Sequence, residues 1–268
     1  MNVVNDEVYT NWITTHVHHN KTETKADAVA SEFPLTIVLN QKEFATIVCT
    51  PTNLMEMVIG FLASEGIILL RKEIKTIEID STRGFADVEL YKQLQPADLN
   101  PSQRFIGSCC GKSRQFYFKS DVQTARTIMQ SVSMTTKQCM ALMATLQEQS
   151  NHFKQTGGVH NAALCTVDHL LEIRTDIGRH NTLDKLNGYI LDNRLSVKDK
   201  VIVFSGRLSS EVLLKISKMR IGIIISASAP TDLALKLADE LGITAIGFTR
   251  DNKMNVYTHS GRITDLEG

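Results

Sequence analysis

Lys200-Val201-Ile202-Val203-Phe204-Ser205-Gly206-Arg207-Leu208-Ser209 opens the stretch that decides the fold, and Gly222-Ile223-Ile224-Ile225-Ser226 repeats its opening pattern. Each is a short, uninterrupted β-branched run that ends in serine, which reads as a strand buried on both faces. Between them Ser209–Met219 reads as a helix, and after them Thr231–Leu241 reads as another. Closing strands follow at Ala245–Phe248 and Met254–Thr258, and earlier ones precede at Ala162–Val167 and Leu170–Arg174, with a helix over Asn181–Asp192. Strand, helix, strand, helix, strand in this order predicts a layered α/β unit with parallel pairs.

Upstream, a long helix is predicted over Thr136–Lys154, ending at Gly157-Gly158, with Met140, Leu142, Met143 and Leu146 as core filling. Pro34–Leu39 and Phe44–Cys49 form a hairpin around Asn40-Gln41, and Thr52 is expected to cap a helix over Asn53–Glu65 that Gly66 ends. Its apolar residues Leu54, Val58, Phe61 and Leu62 share one face. Thr76–Asp80 and Phe85–Leu90 make a second hairpin, and Gln95–Gln103 is turn-rich. Residues 1–30 read as a flexible polar tail, in which His16, His18 and His19 are solvated rather than metal-binding. The expected organisation is a tail over 1–30, an α+β part over 31–130 and an α/β cofactor-binding domain over 131–268, with no internal repeat.

The 268 residues carry 29 Lys+Arg and 29 Asp+Glu, so no overall field favours nucleic acid. At 43% hydrophobic and 22% charged the composition is globular, and runs such as Ile221–Ile225 are far short of the ~20 residues that cross a bilayer. The acidic, polar start Met-Asn-Val-Val-Asn-Asp-Glu does not read as a signal peptide, so a cytoplasmic protein without membrane partners is expected. Five cysteines make no disulfide framework, and Cys49, Cys139 and Cys165 sit among apolar neighbours as small hydrophobes would.

Ligands of open α/β sheets bind beyond the carboxyl ends of strands, where helix N-termini present free N–H groups. Three successive strand ends carry suitable residues: Ser205, Gly206 and Arg207; Ser226 and Ser228; and Phe248, Thr249, Arg250, Asp251, Asn252 and Lys253. Hydroxyls, a close-approach glycine and the cations Arg207, Arg250 and Lys253 suit phosphate oxygens, although serine and threonine also serve as ordinary caps. Neither GxGxxG nor a P-loop pattern occurs, so an ordinary dinucleotide or ATP site is not supported. Asp176-Ile177-Gly178-Arg179-His180-Asn181 is either a substrate-orienting cluster or a salt-bridged loop, and Thr156-Gly157-Gly158-Val159-His160-Asn161 is a close backbone approach or a helix cap.

Arg104-Phe105-Ile106-Gly107-Ser108-Cys109-Cys110-Gly111-Lys112-Ser113-Arg114 places three cations within six residues of a thiol pair. Such cations favour thiolate, which attacks electron-poor sulfur and holds it as a persulfide. A structural pair is the alternative. Zinc is disfavoured, because adjacent cysteines fit tetrahedral geometry poorly and no CxxC or HxxxH partner follows, so no metal ligand is assigned.

These residues resemble the FdhD/NarQ family of formate dehydrogenase accessory sulfurtransferases, from about Glu32 to Ile263. The resemblance rests on Glu32-Phe33-Pro34-Leu35, Cys49-Thr50-Pro51, Gly60-Phe61-Leu62-Ala63-Ser64-Glu65-Gly66, Cys109-Cys110-Gly111 and Thr156-Gly157-Gly158-Val159-His160. It continues through Asp176–Asn181 with Asp184-Lys185, Ser205-Gly206-Arg207, and Gly247–Arg250 with Asn255–His259. It implies a cytidine-deaminase-like mixed sheet with a smaller, hairpin-rich N-terminal part, and a homodimer. It also implies that a cysteine desulfurase supplies persulfide sulfur and that a loop cysteine delivers it to bis-molybdopterin guanine dinucleotide for formate dehydrogenase. That molybdenum cofactor is cargo, and no tightly held cofactor of the chain's own is expected. Many relatives read Cys-x-x-Cys-Gly, so Cys110 matches the second cysteine, Gly107 stands at the first, and Cys109 is partner or reserve. The deaminase zinc signature, H-x-E with P-C-x-x-C, is absent. The rival readings are a non-catalytic molybdenum-cofactor chaperone and a redox sensor built on the vicinal thiols.

Overall fold

In the computed structural model, which describes residues 8–93, 104–106, 128 and 132–266, the decisive stretch forms the middle of a six-stranded mixed sheet. Its strands are β8 (His160–Cys165), β9 (Leu170–Asp176), β10 (Val201–Phe204), β11 (Ile223–Ser226), β12 (Thr244–Arg250) and β13 (Lys253–Val256), in the spatial order β13-β12-β11-β10-β8-β9. β10, β11 and β12 are parallel, while β8, β9 and β13 attach antiparallel at the two sides.

The period of two along a strand sorts these residues into two cores. Ile202, Phe204 and Ile224 face helices α4 (Arg179–Asp192), α5 (Ser210–Lys218) and α6 (Asp232–Glu240). Val201, Val203, Ile223 and Ile225 face α2 (Thr136–Gln149), whose Cys139, Leu142, Met143 and Leu146 fill that side. Every residue of β10 and β11 is buried, which is why both runs are apolar without alternation. Thr135 caps α2 as a capping box with Gln138.

A second, five-stranded sheet has the order β5-β6-β3-β4-β7. It comprises β3 (Phe33–Leu39), β4 (Lys42–Cys49), β5 (Ile74–Asp80), β6 (Phe85–Leu90) and β7 (Arg104–Ile106). Asn40 and Gln41 both have positive φ (46° and 68°), the two-residue turn that matches strand twist. Helix α1 (Leu54–Ser64) covers this sheet with Met57, Val58, Phe61 and Leu62 and turns its other side to α4.

Three local expectations are corrected. Residues 9–30, expected to be a structureless tail, form the hairpin β1 (Tyr9–His18) and β2 (Lys21–Ala30). The turn is His19-Asn20, both at positive φ, and the threonines, valines and isoleucine that read as polar texture are good strand formers. The expected helix over Thr136–Lys154 breaks at Ser150, giving α2 and α3 (Asn151–Thr156). The Ser150 hydroxyl donates to the Leu146 carbonyl and accepts from Asn161 Nδ2, competing with the helix ladder. Finally, Asn53, at φ 52°, rather than Thr52 precedes α1, without a side-chain cap.

The α1–α4 crossing is set by two glycines. A Cβ on Gly60 would lie 1.7 Å from the Asp184 carbonyl oxygen, and one on Gly188 would lie 1.9 Å from that of Glu56. Gly188→Ala is therefore expected to destabilise the protein by about 3 kcal/mol or more in urea unfolding. Gly261→Ala, with open space around its Cβ, should stay within about 0.5 kcal/mol of the parent.

Candidate functional site

Because β8 is antiparallel to β10, and β9 to β8, the start of β8 and the end of β9 lie on the same edge as the carboxyl ends of β10, β11 and β12. One rim therefore carries, in order, Asp176, His160, Ser205, Ser226 and Phe248. At ~4.8 Å per strand this row is roughly 19 Å long. The clusters picked out at Thr156–Asn161, Asp176–Asn181, Ser205–Ser210, Ser226–Thr231 and Phe248–Lys253 all open onto it.

The residues divide by what their polar atoms already do. Ser205 Oγ accepts from the Asn161 amide at 2.9 Å. Ser226 Oγ donates to the Gly206 carbonyl at 2.8 Å and accepts from the Ser228 amide at 3.0 Å. Ser209 and Thr231 cap α5 and α6. The two loops are also laced together, Leu208 N–H to Ala229 O and Thr231 N–H to Leu208 O. These hydroxyls brace the loops. Gly206 is a packing requirement, since a Cβ there would meet the Phe204 ring at 2.7 Å and Arg179 Cβ at 3.2 Å. Arg207, Arg250 and Lys253 point their charge to solvent.

At the far end of the rim the β12–β13 ladder slips between Gly247 and Arg250. Phe248 takes φ 53° there, a costly conformation for an aromatic residue, anchored by its N–H to Ser228 O at 3.1 Å. The bulge turns the Phe248 ring outward, with the Arg250 guanidinium 6.0 Å from its centroid, and turns Thr249 inward. Thr249 Oγ1 is buried without a hydrogen-bond partner among the described residues. A depression of about 70 Å³ lies between Thr249–Asn252 and Met140, Met143, Ala144 and Gln147 of α2. Asp251 and Asn252, at φ 51° and 55°, complete the hairpin turn.

At the near end the six-stranded sheet is joined to the five-stranded one. Asp176 and Lys185 form an ion pair at 2.7 Å with both side chains fully buried. The Asp176 carboxylate also accepts from the Thr50 and Gly178 amides and from Asn181 Nδ2. The Lys185 ammonium also donates to the carbonyls of Thr50 and Thr175. Asn181 Nδ2 further donates to the Val48 carbonyl, so the end of β4 is sewn to this rim. The Asp176–Asn181 segment is thus a salt-bridged loop. Sequence reasoning left both its roles open, and it missed two further links. Asp184 receives Ser64 Oγ at 2.5 Å and Lys215 Nζ at 2.6 Å, and Arg174 pairs with Glu56 and Glu172. The available signal was Asp184-Lys185 within a helix that is buried almost all round.

Two imidazoles sit beside this seam. His160 is held below its usual range by burial and then by Arg179, partly offset by Asp176. His180 is pushed down to about 3 by burial, with Lys215, Arg179 and His160 adding to it. Glu211 Oε2 lies 3.1 Å from His180 Nε2, but no aligned hydrogen bond forms.

Cys109 and Cys110 lie outside the described residues. The chain approaches them along β7, which runs parallel to β4 with Ile106 beside Ile47. β7 itself therefore runs toward the end of the sheet where β4 meets Asp176. The other three cysteines, Cys49, Cys139 and Cys165, are buried free thiols, each pushed up to about 12 chiefly by burial.

A sequence model of the FdhD/NarQ family matches residues 30–264. The chain belongs to the FdhD/NarQ family. An FdhD/NarQ relative from Geobacillus kaustophilus, named sulfur carrier protein FdhD, is 59% identical over 237 residues, covering 88% of this chain and 90% of the relative. One of the same name from Bacillus subtilis is 55% identical over 239 residues, covering 89% and 91%. A crystal structure from Desulfotalea psychrophila, titled provisionally as a formate dehydrogenase accessory protein, superposes with a TM-score of 0.79 at 25% identity. That match covers 96% of this chain and 100% of the other. Among the described residues, no helix of this FdhD/NarQ protein is long and apolar enough to cross a membrane.

Removing one partner of the buried pair leaves the other charge stranded. Lys185→Met should cost about 3–5 kcal/mol in urea unfolding, measured against a surface Lys236→Met control near zero. His180 makes stability depend on pH with a definite sign. The unfolded chain takes up its proton below about 6.5, whereas the fold refuses it down to about 3. Stability is therefore present above pH 6.5 and lost as pH falls toward 3. Urea unfolding of His180→Gln between about pH 6 and pH 4 should show a shallower loss than the parent.

Proposed function

We propose that this chain is a sulfur carrier in formate dehydrogenase maturation, with Cys110 as the carrier thiol and Cys109 beside it. The observation that carries the reading is the partition of the cysteines. The three with described surroundings are buried, with thiols near 12 that cannot serve as nucleophiles at neutral pH. Only Cys109 and Cys110 remain, and the sequence flanks them with Arg104, Lys112 and Arg114. Relatives over most of the chain bear the name sulfur carrier protein, which supports the same chemistry here.

In the first step the Cys110 thiolate attacks the outer sulfur of a cysteine desulfurase persulfide. A new S–S bond forms on Cys110, the donor's S–S bond breaks, and the donor leaves as thiolate. In the second, the S–S bond on Cys110 breaks, Cys110 leaves as thiolate, and the outer sulfur passes to a Mo(IV) centre of bis-molybdopterin guanine dinucleotide, the substrate that formate dehydrogenase then receives; the metal, going to Mo(VI), supplies the two electrons that bring this sulfur to the sulfide level. The rim supplies what that substrate needs. Arg207, Arg250 and Lys253 attract phosphate oxygens, Phe248 offers an exposed ring face to a guanine, and the loops behind them are already braced. Cys110 is four residues beyond Ile106, a reach of at most about 14 Å. The working form in this reading is a homodimer in the cytoplasm.

The test is incubation with an active desulfurase and cysteine, followed by peptide mass analysis. One reducible sulfur on Cys110 is expected. Cys110→Ala should still bind the cofactor, while formate dehydrogenase matured with it stays at background activity. Full enzyme activity with Cys110→Ala overturns the assignment of Cys110. Absence of added sulfur from both Cys109 and Cys110 favours the cofactor chaperone.

A further inference from the structure

The bulge between β12 and β13 gathers three unfavourable features in two residues. Phe248 is left-handed at φ 53°, its ring is 37% exposed, and Thr249 buries a hydroxyl that has no partner among the described residues. All three have one origin in the ladder. Gly247 pairs with Asn255 and Arg250 with Lys253, so Phe248 and Thr249 together stand opposite Met254.

Strand alternation says where both side chains fall without the bulge. Ile246 packs on the α2 side, in the cluster with Cys139, Met143 and Leu146, and Gly247 faces the other side, against Ser228 and Pro230. The next residue, Phe248, then falls on the α2 side, where Met140, Met143 and Ala144 wall the depression of about 70 Å³. Thr249 falls on the opposite side, and the space its side chain leaves adds to that depression. Apolar walls suit a phenyl ring better than the hydroxyl they now meet.

A second register is ready in the sequence. Pairing Phe248 with Met254 and Thr249 with Lys253 continues the Gly247–Asn255 ladder. It replaces the two-residue turn Asp251-Asn252 by the three-residue turn Arg250-Asp251-Asn252. Three-residue hairpin turns end in a left-handed residue, and Asn252 already holds φ 55°. β13 is the outermost strand of its sheet, so no further strand of that sheet has to re-pair.

We propose that the bulge is a two-position switch. In one position, the one seen here, the Phe248 ring is out and Thr249 is in; in the other the ring packs against α2 and Thr249 turns out. Only the outward ring can stack on a planar base, so the switch regulates the rim, and this part rests on the cofactor reading above. A stacked base holds the ring out, and without one the inward position is populated.

Fluorine NMR of the full chain labelled with fluorophenylalanine tests this, using guanosine diphosphate as the probe. Among the ten phenylalanines, the Phe248 resonance is identified by its loss in Phe248→Leu. Two Phe248 environments are expected, with the nucleotide moving intensity to the solvent-exposed one. Thr249→Val keeps the shape of the side chain and removes the buried hydroxyl, so it should shift the ratio toward the outward ring at least about fivefold without nucleotide. Ala144→Leu, an exposed position at the mouth of the depression, should block entry of the ring and act in the same direction. A Phe248 resonance that neither substitution moves overturns the switch. A resonance that both substitutions move and the nucleotide does not leaves the switch standing and overturns the base-stacking role of Phe248.

Discussion

The buried ion pair between Asp176 and Lys185 is the constraint on which the arrangement of the two sheets depends. A charge taken out of water costs several kcal/mol, and the protein recovers that only by giving each group its complete set of partners. Those partners come from three places: β4 with its following turn at Thr50, the β9–α4 turn at Gly178, and α4 itself through Asn181. The pair is satisfied only when the five-stranded sheet, the rim of the six-stranded sheet and the α1–α4 crossing are all in place. An apolar contact would tolerate a slide of an ångström, whereas this one fixes the seam in a single position. The glycines at the crossing act in the same sense, since Gly60 and Gly188 allow the helix backbones the approach that the pair requires.

With the seam fixed, the rim has a rigid end and a strained end. The rigid end is the Asp176 cluster, whose hydrogen bonds are used up internally. The strained end is the bulge, where Phe248 holds a left-handed backbone and Thr249 buries a hydroxyl that has no partner among the described residues. Neither feature benefits folding. A phenylalanine at φ 53° costs about 1–2 kcal/mol and a lone buried hydroxyl about as much again. Strain of this kind persists where it places a group for use, and here it puts an aromatic ring and Arg250 on the outside of the sheet edge.

What was legible in the sequence follows from how local each cause is. The β10–α5–β11–α6–β12 order was legible because strands buried on both faces must be short apolar runs, and the turn residues between them serve only as breaks and caps. The rim residues were legible because strand direction alone puts Ser205, Ser226 and Phe248 on one edge. The separate tasks of these residues were not. Whether Ser226 Oγ braces Gly206 or faces a ligand depends on loop geometry that no spacing encodes. The hairpin over Tyr9–Ala30 was hidden because its threonines and histidines lower its hydropathy without lowering its strand preference. The Asp176–Lys185 pair was hidden for the opposite reason, since two charges in a polar loop and on a helix read as surface until the helix proves buried.

The cysteines bring these strands of argument together. A protein that carries sulfur on one thiol must keep its other thiols from taking it, because sulfane sulfur migrates readily between thiolates. Selectivity here has a physical origin in the fold. Cys49 lies next to the seam and is the described thiol nearest Asp176 and Lys185, yet burial and the Asp176 charge both oppose its ionisation, and together they outweigh Lys185. Burial, with the charge of the seam carboxylate adding to it, thus keeps Cys49 inert, which leaves the cation-flanked Cys109-Cys110 pair as the place where thiolate, and with it the proposed chemistry, can form.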